Sequence, residues 1–228
     1  MKLESAFVLL CLATSPGLVQ AEQQPARPAA PSLSRPDRAT KPVDARGFIR
    51  RWFVLEPVPV EGRLTEDAVQ EALKLASLPE TQAKAEDGAK VTVNGSEYAW
   101  HALDTTRYNL NLYHFAWALS RPTSNVLFWV ETTVDAPREM TNVRLAIGSN
   151  AASRWWLNGE AVISLNDDRQ SVIDDGVSHR VTLRQGRNVI RAAIINGGGA
   201  TDFCARFVDE GGKPVVGLNV SLPDHLTR

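Results

Sequence analysis

Four histidines stand in the chain, His101, His114, His179 and His225. No two share the H-x-H or H-E-x-x-H spacing that would bring a pair of imidazoles to one metal ion. There is no G-x-S-x-G run, so a serine nucleophile lacks its strand–turn–helix platform. Ser96, His101 and Asp104 lie close together, but side chains alternate across a strand, and nearness in sequence does not assemble a triad. Glu97, Asp104, Glu131 and Glu160 are scattered, whereas glycosidic cleavage needs two carboxylates facing one cleft. Cys204, in Phe203-Cys204-Ala205-Arg206-Phe207, has no neighbour that would stabilise a thiolate and reads as a small buried hydrophobe. No catalytic constellation is expected.

Two features remain that could bind. Asp167-Asp168 and Asp174-Asp175 flank a short run from Arg169 to Ile173, and oxygen-rich loops of this kind hold calcium. Such acids more often solvate a loop, and Arg169 subtracts from the local charge. No cofactor is therefore expected, with calcium the one ion that these loops could take. The second feature is aromatic: six tryptophans, of which Trp155 and Trp156 are adjacent. On a strand, one must turn inward and the other outward. An outward indole could stack on the apolar C–H face of a sugar ring while Asn150, Arg154 and Asp168 take its hydroxyls. The opposing reading covers that second indole with the N-terminal segment or a helix. The loops at 150–154, 167–175 and 197–202 would form the binding rim.

The elements that must position these residues are mostly strands. Residues 48–55 and 125–134 are rich in β-branched and aromatic types, closed by Pro57 and Pro137, and residues 142–147 alternate polar and apolar up to Gly148. Arg154-Trp155-Trp156-Leu157, then Asn158-Gly159, then Glu160-Ala161-Val162-Ile163 predicts a hairpin, because Asn-Gly supplies the two positive φ angles of a type I′ turn. Further strands are expected at 177–183, 188–195, 202–208 and 215–220. Short strands with turn signals between them predict an all-β fold, an antiparallel β-sandwich. One segment differs: residues 65–76 begin with Thr65-Glu66-Asp67, carry apolar residues three and four apart, and stop before Pro79, which predicts one short N-terminal helix.

The organisation around this domain follows from composition. Lys2, an apolar run at 6–13 and Val19-Gln20-Ala21 describe a secretory signal peptide over residues 1–21. That run falls short of the ~20 residues of a membrane span. Residues 22–46 hold five prolines and no apolar periodicity, and are expected to be a disordered Pro/Ala-rich spacer. Residues 47–228 are then one β-sandwich domain. With 25 Lys plus Arg against 26 Asp plus Glu, the formal charge is −1, which excludes a general nucleic-acid binder. An exported chain whose one thiol outside the signal segment is Cys204 has no internal disulfide framework.

The order of several motifs resembles galactose-binding-like jelly-roll modules that accompany secreted bacterial glycoside hydrolases and carbohydrate esterases. The carriers are Ile147-Gly148-Ser149-Asn150, the hairpin Trp156-Leu157-Asn158-Gly159, the corner Leu183-Arg184-Gln185-Gly186-Arg187-Asn188, and Asp209-Glu210-Gly211-Gly212-Lys213-Pro214. The opening Trp52-Phe53-Val54-Leu55-Glu56-Pro57 is similar to the first strand of such modules. Ser149-Asn150-Ala151-Ala152 stands where that pattern carries an acidic pair. The resemblance implies a jelly-roll fold and a glycan or polysaccharide partner. The expected function is an exported, periplasmic or extracellular, non-catalytic carbohydrate-binding-like module. The alternative is a protein-interaction or envelope-assembly domain that binds an envelope protein and no glycan.

Overall fold

Alternating and continuous apolar runs become sixteen strands and one helix in a computed structural model that describes residues 32–37, 39–60, 85–166 and 170–221. In chain order these are β1 (Leu33–Ser34), β2 (Thr40–Pro42), β3 (Arg51–Leu55), β4 (Val58–Pro59), β5 (Lys90–Val93), β6 (Ser96–Thr105) and β7 (Leu110–Asn111). Then come α1 (Leu112–Ala118), β8 (Val126–Ala136), β9 (Met140–Ser149), β10 (Ala152–Leu157), β11 (Glu160–Leu165) and β12 (Gly176–Val177). The last are β13 (Val181–Leu183), β14 (Gly186–Asn196), β15 (Asp202–Val208) and β16 (Asn219–Ser221). The larger sheet runs β1-β6-β3-β8-β14-β10-β11, with β2, β4, β5 and β16 joined to it, and the smaller runs β12-β9-β15-β7 with β13 on β9. All pairings between these strands are antiparallel, as the expected sandwich requires.

The core between the sheets follows the period-two rule. Phe128, Val130 and Val134 of β8, Ile190, Ala192 and Ile194 of β14, and Leu145 and Ile147 of β9 face one another with almost no exposure. Trp52, Trp155 and Phe203 fill its centre edge to face, at centroid distances of 6.1 Å (Trp52–Trp155), 4.9 Å (Trp52–Phe203) and 5.5 Å (Trp155–Phe203). The opposite face of the large sheet is apolar as well. Phe53, Leu55, Trp100, Leu127, Trp129, Ala193 and Ile195 form a second buried cluster there. This double burial explains why β8 reads as an unbroken hydrophobic run rather than an alternating one.

Several expectations change. Residues 32–37 and 39–46, assigned above to the spacer, do not stay apart from the domain. Leu33 and Ser34 pair with Thr105 and Asp104, and residues 40–42 pair with residues 219–221. Pro42 is tolerated because it ends a short strand at the margin of the sheet. Residues 90–105, given no element above, form the hairpin β5–β6, whose turn has Asn94 and Gly95 at φ 50° and 79°. That is the same Asn-Gly signal that correctly announced β10–β11, where Asn158 and Gly159 take φ 50° and 87°. The helix α1 was also unassigned; its seven aromatic-rich residues are started by Asn111, whose side chain accepts from the His114 backbone N–H at 2.7 Å. The helix expected over 65–76 and the signal segment over 1–21 lie outside the described residues.

Candidate functional site

Strand β10 sends its two neighbouring indoles to opposite faces of the large sheet. Trp155 turns into the sandwich core, 0% exposed, with its Nε1–H donating to Ser153 Oγ at 3.0 Å. Its ring has no face left for a ligand, so burial removes Trp155 from the stacking role considered above. Trp156 turns to the outer face, stays partly exposed, and stacks on Trp129 with centroids 5.7 Å apart and planes at 27°.

Strand register shows what surrounds that stack. Phe53 on β3 opposes Glu131 on β8, Glu131 opposes Arg191 on β14, and Arg191 opposes Trp156. In the adjacent row Trp129 opposes Ala193, which opposes Arg154. Ala193 is the reason that two indoles on strands separated by β14 can meet, since a larger side chain between them would keep the rings apart. Arg191 donates through Nε to Glu131 Oε2 at 2.8 Å, with Nη2 at 2.6 Å from the same oxygen. A charge-assisted pair of this kind is held in one geometry beside the Trp156 ring. Arg154, two residues before Trp156, shares its face. A flat apolar ring, a fixed donor–acceptor pair and a second guanidinium suit a small polyhydroxylated ring.

The same face continues to a buried ion pair. Arg51 on β3 directly opposes Asp104 on β6, donating through Nε and Nη2 at 2.8 and 3.0 Å, while Lys41 approaches Asp104 at 3.0 Å. Burial by itself pushes the Asp104 carboxyl up, but hydrogen bonds and charge from Arg51 and Lys41 outweigh it, so its pKa lies below the ordinary value. His101, three residues earlier on β6, takes the other face, its ring against Phe115 at 5.4 Å and Nε2 3.4 Å from Glu56 Oε1. Alternation therefore separates the sequence neighbours His101 and Asp104, and the triad does not assemble.

The remaining predicted residues serve the fold. Asn150 bridges two loops, its Oδ1 accepting from the Asp202 N–H at 2.9 Å and its Nδ2 donating to the Ala200 carbonyl at 2.5 Å. Asn150 and the 197–202 loop thus do meet at one rim, but on the end of β10 away from Trp156, while residues 152–154 belong to β10 itself. Asp168 and Asp167 lie outside the described residues. Asp174 is ion-paired with Arg206, which holds the segment before β12 across Gly148 and Cys204. Burial, the largest influence there, pushes the Cys204 thiol up to about 11, so it remains protonated at neutral pH. Among the described residues no group of three His, Cys, Asp or Glu side chains could hold a metal ion.

The motifs behind the resemblance are hydrogen-bonding devices. Asn188 is fully buried; its Nδ2 donates to the Arg184 and Gly186 carbonyls at 2.8 and 3.0 Å, and its Oδ1 accepts from the Arg184 N–H at 3.0 Å. Asn158 of the hairpin donates to that same Oδ1 at 3.1 Å and accepts from the Val189 N–H at 2.9 Å, so hairpin and corner lock together. Asp209 Oδ1 accepts from the N–H groups of Gly211 and Lys213, at 2.9 and 2.8 Å, in an Asx-type turn.

Sequence reasoning missed Trp129, Glu131 and Arg191 as a group. Each sits at an alternate position of its own strand, a legible signal, but only pairing register brings them to Trp156.

No protein-family model matches the chain, and no curated protein matches it. Solved structures show partial likeness. An anti-sigma factor domain-containing protein from Clostridium clariflavum is 12% identical, with TM-score 0.31, covering 40% of this chain and 30% of its own. A β-glucosidase from Kluyveromyces marxianus, in complex with glucose, is 15% identical, with TM-score 0.38, covering 70% of this chain and 16% of its own. A family 35 carbohydrate-binding module from Clostridium thermocellum is 19% identical, with TM-score 0.27, covering 53% of this chain and 87% of its own. The chain thus spans less than a third of the first two.

Proposed function

We propose that this is an exported, non-catalytic binding module that holds a glycan on the outer face of its large sheet, around Trp156. The observation that carries the reading is the Trp129–Trp156 stack with the Arg191–Glu131 pair beside it. One indole face offers C–H stacking, the ion pair supplies a fixed donor and acceptor for neighbouring hydroxyls, and Arg154 adds positive charge to the same face. Export rests on the signal-like first 21 residues.

Electrophoresis through gels containing soluble polysaccharides tests it. The native protein should be retarded by at least one polymer. Trp156→Ala should lose that retardation while keeping the native circular dichroism, because Trp156 lies at the margin of its cluster. Retention that survives Trp156→Ala removes the site. No retention on any polymer removes the glycan and favours the protein-interaction alternative, whose signature is partner capture without a glycan response.

A further inference from the structure

We infer that the Trp156 site takes one sugar ring, so that affinity does not grow with chain length; this rests on the glycan reading above. Carbohydrate platforms gain affinity along a chain when successive rings find successive aromatic faces. Here one face of Trp156 is already occupied by Trp129. Trp129 itself is 5% exposed, as is Phe53, and Trp100 is 0% exposed, so none of these neighbours on the same face offers a second ring. The polar groups lie in the adjoining register positions. Arg191 lies directly across from Trp156, Glu131 directly across from Arg191, and Arg154 two residues along β10. Donors, acceptor and the one stacking face thus share a single row across three adjacent strands, about 10 Å from β10 to β8.

The other partly exposed aromatic in this cluster is Tyr98 on β6. Strand order places β6 four strands from β10, about 19 Å at the usual strand spacing. The buried Trp129 row lies between them. A chain reaching from Trp156 to Tyr98 would cross buried side chains with, among the described residues, no exposed aromatic along the way.

Titration calorimetry of the full chain with gluco-, xylo-, manno- and galacturono-saccharides, each from monosaccharide to hexasaccharide, tests this. In whichever series binds, the Kd should agree within about threefold across lengths, and Trp156→Ala should abolish binding at every length. A Kd that tightens by about tenfold or more toward the hexasaccharide overturns the single-ring inference while leaving the glycan reading intact. Loss of that gain in Tyr98→Ala would identify the second contact. Absence of binding in every series overturns the glycan reading itself, and the single-ring inference with it.

Discussion

Replacing Asp104 with asparagine changes one charge in the buried pair with Arg51 and almost no volume. Arg51 is 1% exposed and directs Nε and Nη2 at the two carboxylate oxygens, with its Nη1 on the Ala39 carbonyl. Asparagine keeps one acceptor but turns an NH2 toward a guanidinium donor, and it leaves the cation without a counter-charge. Removing one member of a buried pair costs about 3–5 kcal/mol. Lys41 is 21% exposed and free to swing to water once Asp104 is neutral, which favours the lower end of that range. At about 2–4 °C per kcal/mol for a domain of this size, a loss of about 3 kcal/mol lowers Tm by about 6–12 °C near neutral pH. The pH dependence has a definite sign. The folded carboxyl is depressed below its ordinary value, so the contribution is fully present above the unfolded carboxylate pKa of about 3.9 and fades as pH falls through the lower, folded value. Thermal melts of Asp104→Asn and the native protein should run parallel from about pH 8 to 5 and converge below about pH 4. Equal Tm values at neutral pH, or a gap as wide in acid as at neutrality, would refute the reasoning. The double change Arg51→Met with Asp104→Leu should recover much of the loss, because neither charge then needs a partner.

Gly148→Ala should cost at least about 1–3 kcal/mol, since its new Cβ would lie 2.3 Å from the Val172 carbonyl oxygen and 3.1 Å from Cys204 Sγ. Hydrogen exchange should speed up over residues 170–178, and unchanged exchange there would show that the segment does not rest on Gly148. Asn188→Ala should cost about 2–3 kcal/mol by freeing buried partners in the 184–186 turn, which urea denaturation would read as a lower midpoint at unchanged slope. Trp155→Ala should lose about 3–5 kcal/mol through a core cavity, against a much smaller loss for Trp156→Ala; equal losses in calorimetric melts would contradict the assignment of their faces.

Much of this architecture was legible in local chemistry. Asn158-Gly159 announced its hairpin because few residues other than glycine and asparagine adopt positive φ cheaply, and the run at 125–134 announced a strand through its β-branched and aromatic content. Asn94-Gly95 carried the same message for β5–β6. Leu33–Ser34 and Thr40–Pro42 were not legible, because two- and three-residue margins are held by partners distant in sequence rather than by their own composition.

The binding face divides the same way. Alternation along β10 dictates that Trp155 and Trp156 part company, whatever the rest of the chain does. Which of them enters the core, and that Trp129, Arg191 and Glu131 gather around the other, depends on the pairing of β8, β14 and β10. A slip of one residue in that pairing would turn every one of these side chains to the opposite face, so register, fixed by burial of the whole sandwich, decided what period-two patterning within single strands left open.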